Sequence, residues 1–478
     1  MVDLLLVFPY FLSYDRTQRK FRSPFPPLGL MYVASSLREK GYSVKILDCT
    51  FLRDLDEAKE KIKRESPNLV GIYGMITLTR RGLELAKFSK ALGSKVIYGG
   101  PDPSLRSEKY LKTGFVDYVV VGEGEETACE LLDFLIKGRV KVEEIKGIHY
   151  IKNGEIKKNL PRNPIKDLDS IPFPSRDLID NELYRKVWLE DHGYAMSSII
   201  TSRGCPYGCY YCSNPIAPFG RRYYYRSVEN VVKELEQIVL ELRFNRIWFA
   251  DDVFTILKDR TLKLCDEIVK RNLKFEWSCL TRADRVDEET LIAMKRAGCE
   301  LIFFGVESGS QRILDLMNRN MKIEHIRRAF KLCKKVGIRT HSFLMMGFPG
   351  EDYYSIMQTI SFVKELLPDE FSFTIAYPLP GTRLYNMVDL IDKRDEWDEV
   401  SENSLLFKSD LPSWAIKFAL WKAKYEILAA KKAMKKRAFS FLGKGFKILT
   451  DPILGLSLPK RSNCRVADAL VQIQRFKA

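Results

Sequence analysis

The sequence predicts an α/β protein made of two parallel-sheet units in series, a doubly wound N-terminal domain and a partial or full parallel (β/α) barrel, succeeded by a basic helical region. Three observations predict it. Short apolar runs alternate with amphipathic segments over residues 1–150, and the same alternation returns over 196–395. A polar stretch carrying Pro161, Pro164, Pro172 and Pro174 separates the two, and reads as a linker over 151–195. From 396 to 478 the pattern becomes helical.

In the first unit, strands are expected at Leu4–Phe8, Ser43–Leu47, Leu69–Tyr73, Lys95–Tyr98 and Tyr118–Val121, with helices such as Leu28–Lys40 and Arg80–Leu92 between them. Buried strands joined by helices make a Rossmann-like sheet, whose ligands bind beyond the C-terminal strand ends. Three loops at such ends are glycine-rich: Gly74-Met75-Ile76-Thr77, Gly99-Gly100-Pro101 and Gly122-Glu123-Gly124. One would be only a tight turn; three in succession predict a binding face. In the second unit, strands are expected at Ser197–Thr201, Arg246–Ala250, Lys274–Cys279, Leu301–Val306, Arg339–Met345 and Glu370–Ala376. Beyond it, Ser413–Arg437 carries Trp414, Phe418, Trp421 and Tyr425 at helical spacing among lysines.

A chain of 478 residues, 46% hydrophobic, holds two or three cores and is not a disordered one. No apolar run is long enough to span a bilayer. The start, Met-Val-Asp-Leu-Leu-Leu, reads as a strand rather than a leader, so a cytoplasmic protein is expected. Seven of the ten cysteines are scattered through apolar segments, as buried hydrophobes in a reducing compartment are. The net charge is +16, and residues 411–478, with fifteen Lys/Arg against three Asp/Glu, carry most of it. That places the question of an acidic partner at the C-terminus.

The remaining cysteines, Cys205, Cys209 and Cys212, fall in Arg-Gly-Cys-Pro-Tyr-Gly-Cys-Tyr-Tyr-Cys, directly after the first barrel strand. Three thiolates at C-x3-C-x2-C spacing hold three irons of a cubane cluster and leave the fourth open to a small molecule. A zinc knuckle would need a fourth ligand, and no second cysteine pair or nearby histidine supplies one. Barrel chemistry is done at the C-terminal mouth, where this loop falls.

With that placement the second unit resembles the radical S-adenosylmethionine (SAM) superfamily. The resemblance implies a [4Fe–4S] cluster whose open iron chelates SAM and reductively cleaves it to a 5′-deoxyadenosyl radical. It carries SAM-binding roles to Asp251 and Asp252, near the methionine amino group; Arg282, facing the methionine carboxylate; Glu307 and Ser308, at the ribose; Gly347, beside the adenine; and Tyr211, on the cluster loop. His341 reads as a packed strand residue. The N-terminal unit resembles the cobalamin (B12) domain that precedes many such barrels, which implies corrinoid contacts from Met75, Thr77, Gly99, Gly100, Pro101, Gly122, Glu123 and Gly124. No D-x-H-x-x-G motif is present, so cobalt would lack a histidine ligand, and Asp102 stands where many relatives carry histidine.

Taken over both units, the resemblance implies an enzyme, a class B radical SAM methyltransferase adding methyl to an unactivated carbon of a lipid, isoprenoid or other natural product. The alternatives are a radical cyclase, ring-forming or carbon–carbon coupling enzyme without methyl transfer, and a non-catalytic cobalamin or iron–sulfur sensor. A flavodoxin- or ferredoxin-like electron donor is implied. The basic C-terminal helix reads equally as a peripheral contact with the inner face of the membrane and as a substrate-covering helical domain with a solvated lysine face, and nucleic acid suits it less.

Overall fold

The computed structural model describes residues 2–15, 18–213, 221–391, 405–409 and 411–435. The tail segment around Phe439–Phe446 lies outside them.

The N-terminal sheet has seven strands in the order β2-β1-β3-β4-β5-β6-β7. Strands β1 (Leu4–Phe8), β2 (Val44–Asp48), β3 (Leu69–Tyr73), β4 (Lys95–Gly99) and β5 (Tyr118–Val120) run parallel. Their apolar side chains are buried on both faces, as helices covering both sides of a parallel sheet require. The sheet does not stop at 150. β6 (Ile148–Lys152) and β7 (Glu155–Lys158) add an antiparallel hairpin, so the start of the expected linker is sheet. Asn153 and Gly154, with φ of 53° and 79°, form its two-residue turn.

The rest of the linker is pinned rather than loose. Tyr184, in the helix Asn181–His192, donates to Asp48 at 2.7 Å, and Trp188 donates to the Pro24 carbonyl at 2.8 Å. Arg176 is buried and donates to Glu234 at 2.6 Å, and Arg226 shares that carboxylate at 2.5 Å.

The second sheet is all parallel, in the order β15-β14-β13-β12-β11-β8. Its strands are β8 (Met196–Ile199), β11 (Arg246–Phe249), β12 (Glu276–Thr281), β13 (Cys299–Glu307), β14 (Arg339–Met346) and β15 (Glu370–Ile375). β8 and β15 are its two edges, so the barrel is partial. A two-stranded pair, β9 (Ser202–Arg203) and β10 (Tyr224–Tyr225), flanks the cysteine loop. Outward-facing Ile247, Phe249, Ile302, Phe304 and Val306 are buried in the core beneath the surrounding helices. The helix Ser413–Lys435 packs Ala415, Ile416, Ala419 and Ala423 against the helix Tyr353–Leu366. None of the described helices is long and apolar enough to cross a membrane.

Candidate active site

The C-terminal ends of the two sheets line one cavity of about 670 Å3. From the first domain come Met75, Ile76, Gly99, Gly100, Pro101, Gly122, Glu123 and Gly124; from the barrel come Ser202, Arg203, Gly204, Ser213, Ala250 and Asp252. All the expected corrinoid contacts reach it except Thr77, which lies in the short turn Ile76–Leu78 while its neighbours Met75 and Ile76 face the space. The cavity continues as an apolar slot between the sheet and two helices, bounded by Leu6, Gly71, Ile97 and Val120 on one side and Leu30, Val33 and Ala128 on the other. Glycine lets two mouth loops pack together: a Cβ on Gly100, where φ is 118°, would lie 2.4 Å from the Gly74 carbonyl. A Cβ on Gly29 would meet nothing within 4 Å, so this wall faces space.

One residue ties the cysteine loop to this mouth. Arg203 forks to Glu123 at 2.5 Å and Glu125 at 2.6 Å, all three nearly buried. Burial raises the Glu123 carboxyl, and Arg203 opposes that shift. Glu123 also accepts from the Ile165 amide at 2.6 Å, so one carboxylate joins the corrinoid-side loop, the linker and the cluster loop.

Gly204, with φ of 84°, turns the chain into the cysteine loop. Cys209 is buried, Cys205 and Cys212 half-buried. Burial raises the Cys205 thiol. The loop is held from below by the turn after the helix Gln311–Leu316. Asn318 donates to the Gly208 carbonyl at 2.7 Å, and the Tyr210 amide donates to the Met317 carbonyl at 3.0 Å. Arg319, from the same turn, donates to Cys209 Sγ at 3.5 Å and to the Gly305 carbonyl at 2.7 Å. The donor set is three thiols on one loop with a buried guanidinium beside one of them. Among the described residues no three His, Cys, Asp or Glu side chains converge as the ligands of a single metal ion would.

Adjacent aspartates take opposite roles. The Asp251 carboxylate accepts from the Thr201 amide at 2.7 Å, the Ser202 amide at 3.1 Å and the Thr201 hydroxyl at 2.5 Å. It straps the loop to the barrel, and Asp252 is the one lining the cavity. Arg282 is buried, stacks on the Tyr207 ring at 3.7 Å and pairs with Asp284 at 2.9 Å. Its Nη1 has no partner among the described residues, and a buried unpaired guanidinium N–H suits a carboxylate. Glu307 sits at φ 63°, a left-handed conformation that costs a non-glycine residue of order 1–3 kcal/mol. The turn brings its carboxylate to the Tyr211 hydroxyl, which donates to it, and within 3.9 Å of Arg319. Burial raises Glu307, and Arg319 counters it. Ser308 is turned instead to Thr359, at 3.0 Å. The Gly347 amide donates to Glu351 at 2.6 Å; burial pushes that carboxyl up to about 8. Arg319 and Arg203 gain their roles only in the fold. Neither sits in a sequence pattern that announces it.

A radical SAM superfamily model matches residues 199–363, and a B12 binding domain model matches 18–132. An uncharacterized methyltransferase of Pyrococcus horikoshii is 35% identical over 390 residues, 80% of this chain and 83% of that protein. The chain belongs to the radical SAM superfamily, in the branch that carries a B12-binding domain. The anaerobic magnesium-protoporphyrin IX monomethyl ester cyclase of Rubrivivax gelatinosus is 27% identical, covering 81% of this radical SAM enzyme and 70% of the cyclase. The fold is that of the radical SAM methyltransferase TsrM of Kitasatospora setae (TM-score 0.68, 21% identity, 80% of this chain and 74% of that one). It is also that of OxsB, a cobalamin-dependent SAM radical enzyme (TM-score 0.71, 20% identity, 94% and 72%).

Proposed function

We propose that the chain is a cobalamin-dependent radical SAM methyltransferase that replaces a hydrogen on an unactivated carbon by methyl. The single observation that carries this is the shared cavity, which puts the glycine-lined mouth of the B12-binding domain opposite the cysteine loop. When bound, the cluster supplies the electron that cleaves SAM, and the corrinoid supplies the methyl group. Cys205, Cys209 and Cys212 would hold the cluster, with the Arg319 guanidinium donating to Cys209. The unpaired Arg282 N–H and the Asp252 carboxylate suit the two ends of an amino acid. Glu307, fixed by Tyr211 and its strained turn, suits a pair of ribose hydroxyls.

Anaerobic reconstitution tests the reading. The purified chain is expected to take up one cluster and one corrinoid, and with a low-potential donor of the flavodoxin or ferredoxin kind to release deoxyadenosine. With methyl-deuterated SAM, label is expected in a component of a cell extract. Deoxyadenosine without transferred label would favour the second reading, ring formation, which the 27% identity to a cyclase supports. A sensor would give neither. A peripheral membrane contact belongs to the same proposal: Trp414, Trp421, Tyr425 and Leu428 are exposed along one helix that also carries Lys417 and Lys424. Salt-sensitive sedimentation with anionic vesicles tests it.

A further inference from the structure

The cysteine loop has an outer face as well as the end that meets the cavity. Gly208 is buried, and what covers it is a side chain that is itself exposed: a Cβ on Gly208 would lie 2.4 Å from the Arg221 guanidinium. Cys209, the next residue, is buried. One glycine and one arginine therefore stand between solvent and a thiol of the cluster site. Tyr207, on the other side of Gly208, lies between two more arginines. Buried Arg282 stacks on its ring at 3.7 Å, and exposed Arg285 lies 5.6 Å from the ring centre and donates to the hydroxyl. Pro206 beside it is exposed. The loop under this face is fixed, because Asn318 holds the Gly208 carbonyl at 2.7 Å.

The charge on this face is not neutralised within the chain. Arg221, Arg222 and Arg285 are exposed, and none of them pairs with a carboxylate among the described residues. Arg383, also exposed, lies 5.0 Å from the Tyr210 ring and is likewise without an acid. Asp284, the carboxylate beside Arg285 in the chain, is taken by Arg282 at 2.9 Å. Exposed arginines elsewhere on the same domain are matched: Arg296 with Asp266, Arg327 with Glu365 and Arg339 with Glu300. A group of unmatched guanidiniums beside a buried redox site is a local positive field open to a partner.

We propose that this outer face of the cysteine loop is where an acidic, low-potential electron-carrier protein docks. Its carboxylates meet Arg221, Arg222 and Arg285, and its redox group comes to rest against Tyr207 and Gly208, one residue from Cys209. One electron passes from the reduced carrier to the oxidised cluster. The carrier is left oxidised by one electron, and no atom is transferred. Opposite charge steers such an encounter and raises its rate more than its strength. That suits a carrier that must bind, deliver and leave. The inference names the partner of the cluster site and so rests on the enzymatic reading.

The test uses the anaerobically reconstituted chain and two reductants, flavodoxin hydroquinone and saturating dithionite, with deoxyadenosine release as the readout. Arg221→Glu combined with Arg222→Glu is expected to raise the KM for flavodoxin about tenfold and to flatten its dependence on salt. Release with dithionite and cluster absorbance should be unchanged. Arg285→Gln, which keeps a donor for the Tyr207 hydroxyl, should raise the same KM by a smaller factor. Arg243→Glu makes the same kind of charge change just before β11, at the opposite end of the sheet, and should leave release with both reductants as it was. An unmoved flavodoxin KM in the loop variants, an equal fall with dithionite, or an equal effect of Arg243→Glu would each overturn the proposal. Binding gives a second readout that needs no turnover. Fluorescently labelled flavodoxin should bind wild type at low salt and the double variant about tenfold more weakly; no binding, or equal binding, would overturn the proposal. A chain that binds flavodoxin through these arginines but releases no deoxyadenosine with either reductant would sink the enzymatic reading and leave the docking face standing.

Discussion

The two mouths that face each other across the cavity are built from opposite materials. The N-terminal mouth is made of close-packed glycine backbone: a Cβ on Gly71, Gly100 or Gly124 would press on Leu6, the Gly74 carbonyl or Val33, Gly29 faces open space, and apolar side chains from sheet and helices line the slot behind them. The barrel mouth is made of buried charge: Asp251, Arg282, Glu307, Arg319 and Glu351 are each less than a tenth exposed. A large, mostly apolar ligand is held by shape and by backbone that can come close. A small zwitterion on a metal cluster is held by fixed charges, which must be satisfied by one another until it arrives. The two domains should therefore fail in different ways when altered.

The sharpest break is at the cysteine loop. Cys209→Ala should abolish cluster assembly, seen as loss of the iron–sulfur absorbance, and deoxyadenosine release with it. Corrinoid uptake by the same protein should be unchanged, because no cysteine of that loop lines the cavity. Next in size is the opposite failure. Gly29→Leu puts a side chain into open space and replaces glycine in the helix Leu28–Glu39, a gain of about 0.5–1 kcal/mol in helix preference. The apoprotein should melt no lower than wild type, while corrinoid retention on desalting falls steeply. Wild-type retention in this variant would show that the slot is not where the corrinoid lies.

Legibility in the chain divides along the same line. The thiols and their barrel strand can be read directly, because that chemistry requires particular residues at fixed spacing. The parallel strands fall within about two residues of their expected ends, because apolar runs flanked by glycine turns mark buried strands. Arg319 is hidden, since a lone arginine in Asn-Arg-Asn has no spacing to betray it. Only the approach of its turn to Gly208 gives it a sulfur to contact. Asp251 and Asp252 look equivalent as neighbours, yet in the bend just past the strand Asp251 turns to the Thr201 and Ser202 amides and Asp252 to the cavity. Asn153-Gly154 is a signal in the sequence, and marks the hairpin that the surrounding prolines disguise as linker. Thr77 shares a loop with Met75 and Ile76, but a single 3-10 turn decides which of the three face the cavity.

Arg203 is where the two materials meet, and it offers a subtler test. Arg203→Gln would leave Glu123 and Glu125 buried without a cation, a loss on the order of 3–5 kcal/mol that risks the fold. Arg203→Lys keeps the charge and loses the fork. It should hold the cluster and cleave SAM normally, while corrinoid affinity falls about tenfold, as for loss of one charge-assisted hydrogen bond. Methyl transfer should then fall more than deoxyadenosine release. Equal losses in both would mean that Arg203 supports the fold alone.

The smallest effect concerns protons. Glu351 lies on the barrel side, is 1% exposed, and accepts from the Gly347 amide. Its carboxyl is raised to about 8 from an ordinary 4.5, with burial the main cause. A carboxyl raised on folding binds its proton in the native state while the unfolded chain has released it. Its contribution is therefore fully present below the unfolded value and is lost as pH rises toward 8. Denaturant unfolding of the anaerobic apoprotein should show stability falling across that window, by a few kcal/mol at most. Glu351→Gln removes the titrating group and keeps the acceptor for Gly347, so the slope should flatten while the cavity side, and corrinoid uptake with it, stays as it was. An undiminished slope in this variant would move the proton-linked strain to another buried carboxyl, and Glu307, raised by the same burial on the same mouth, is the next to change.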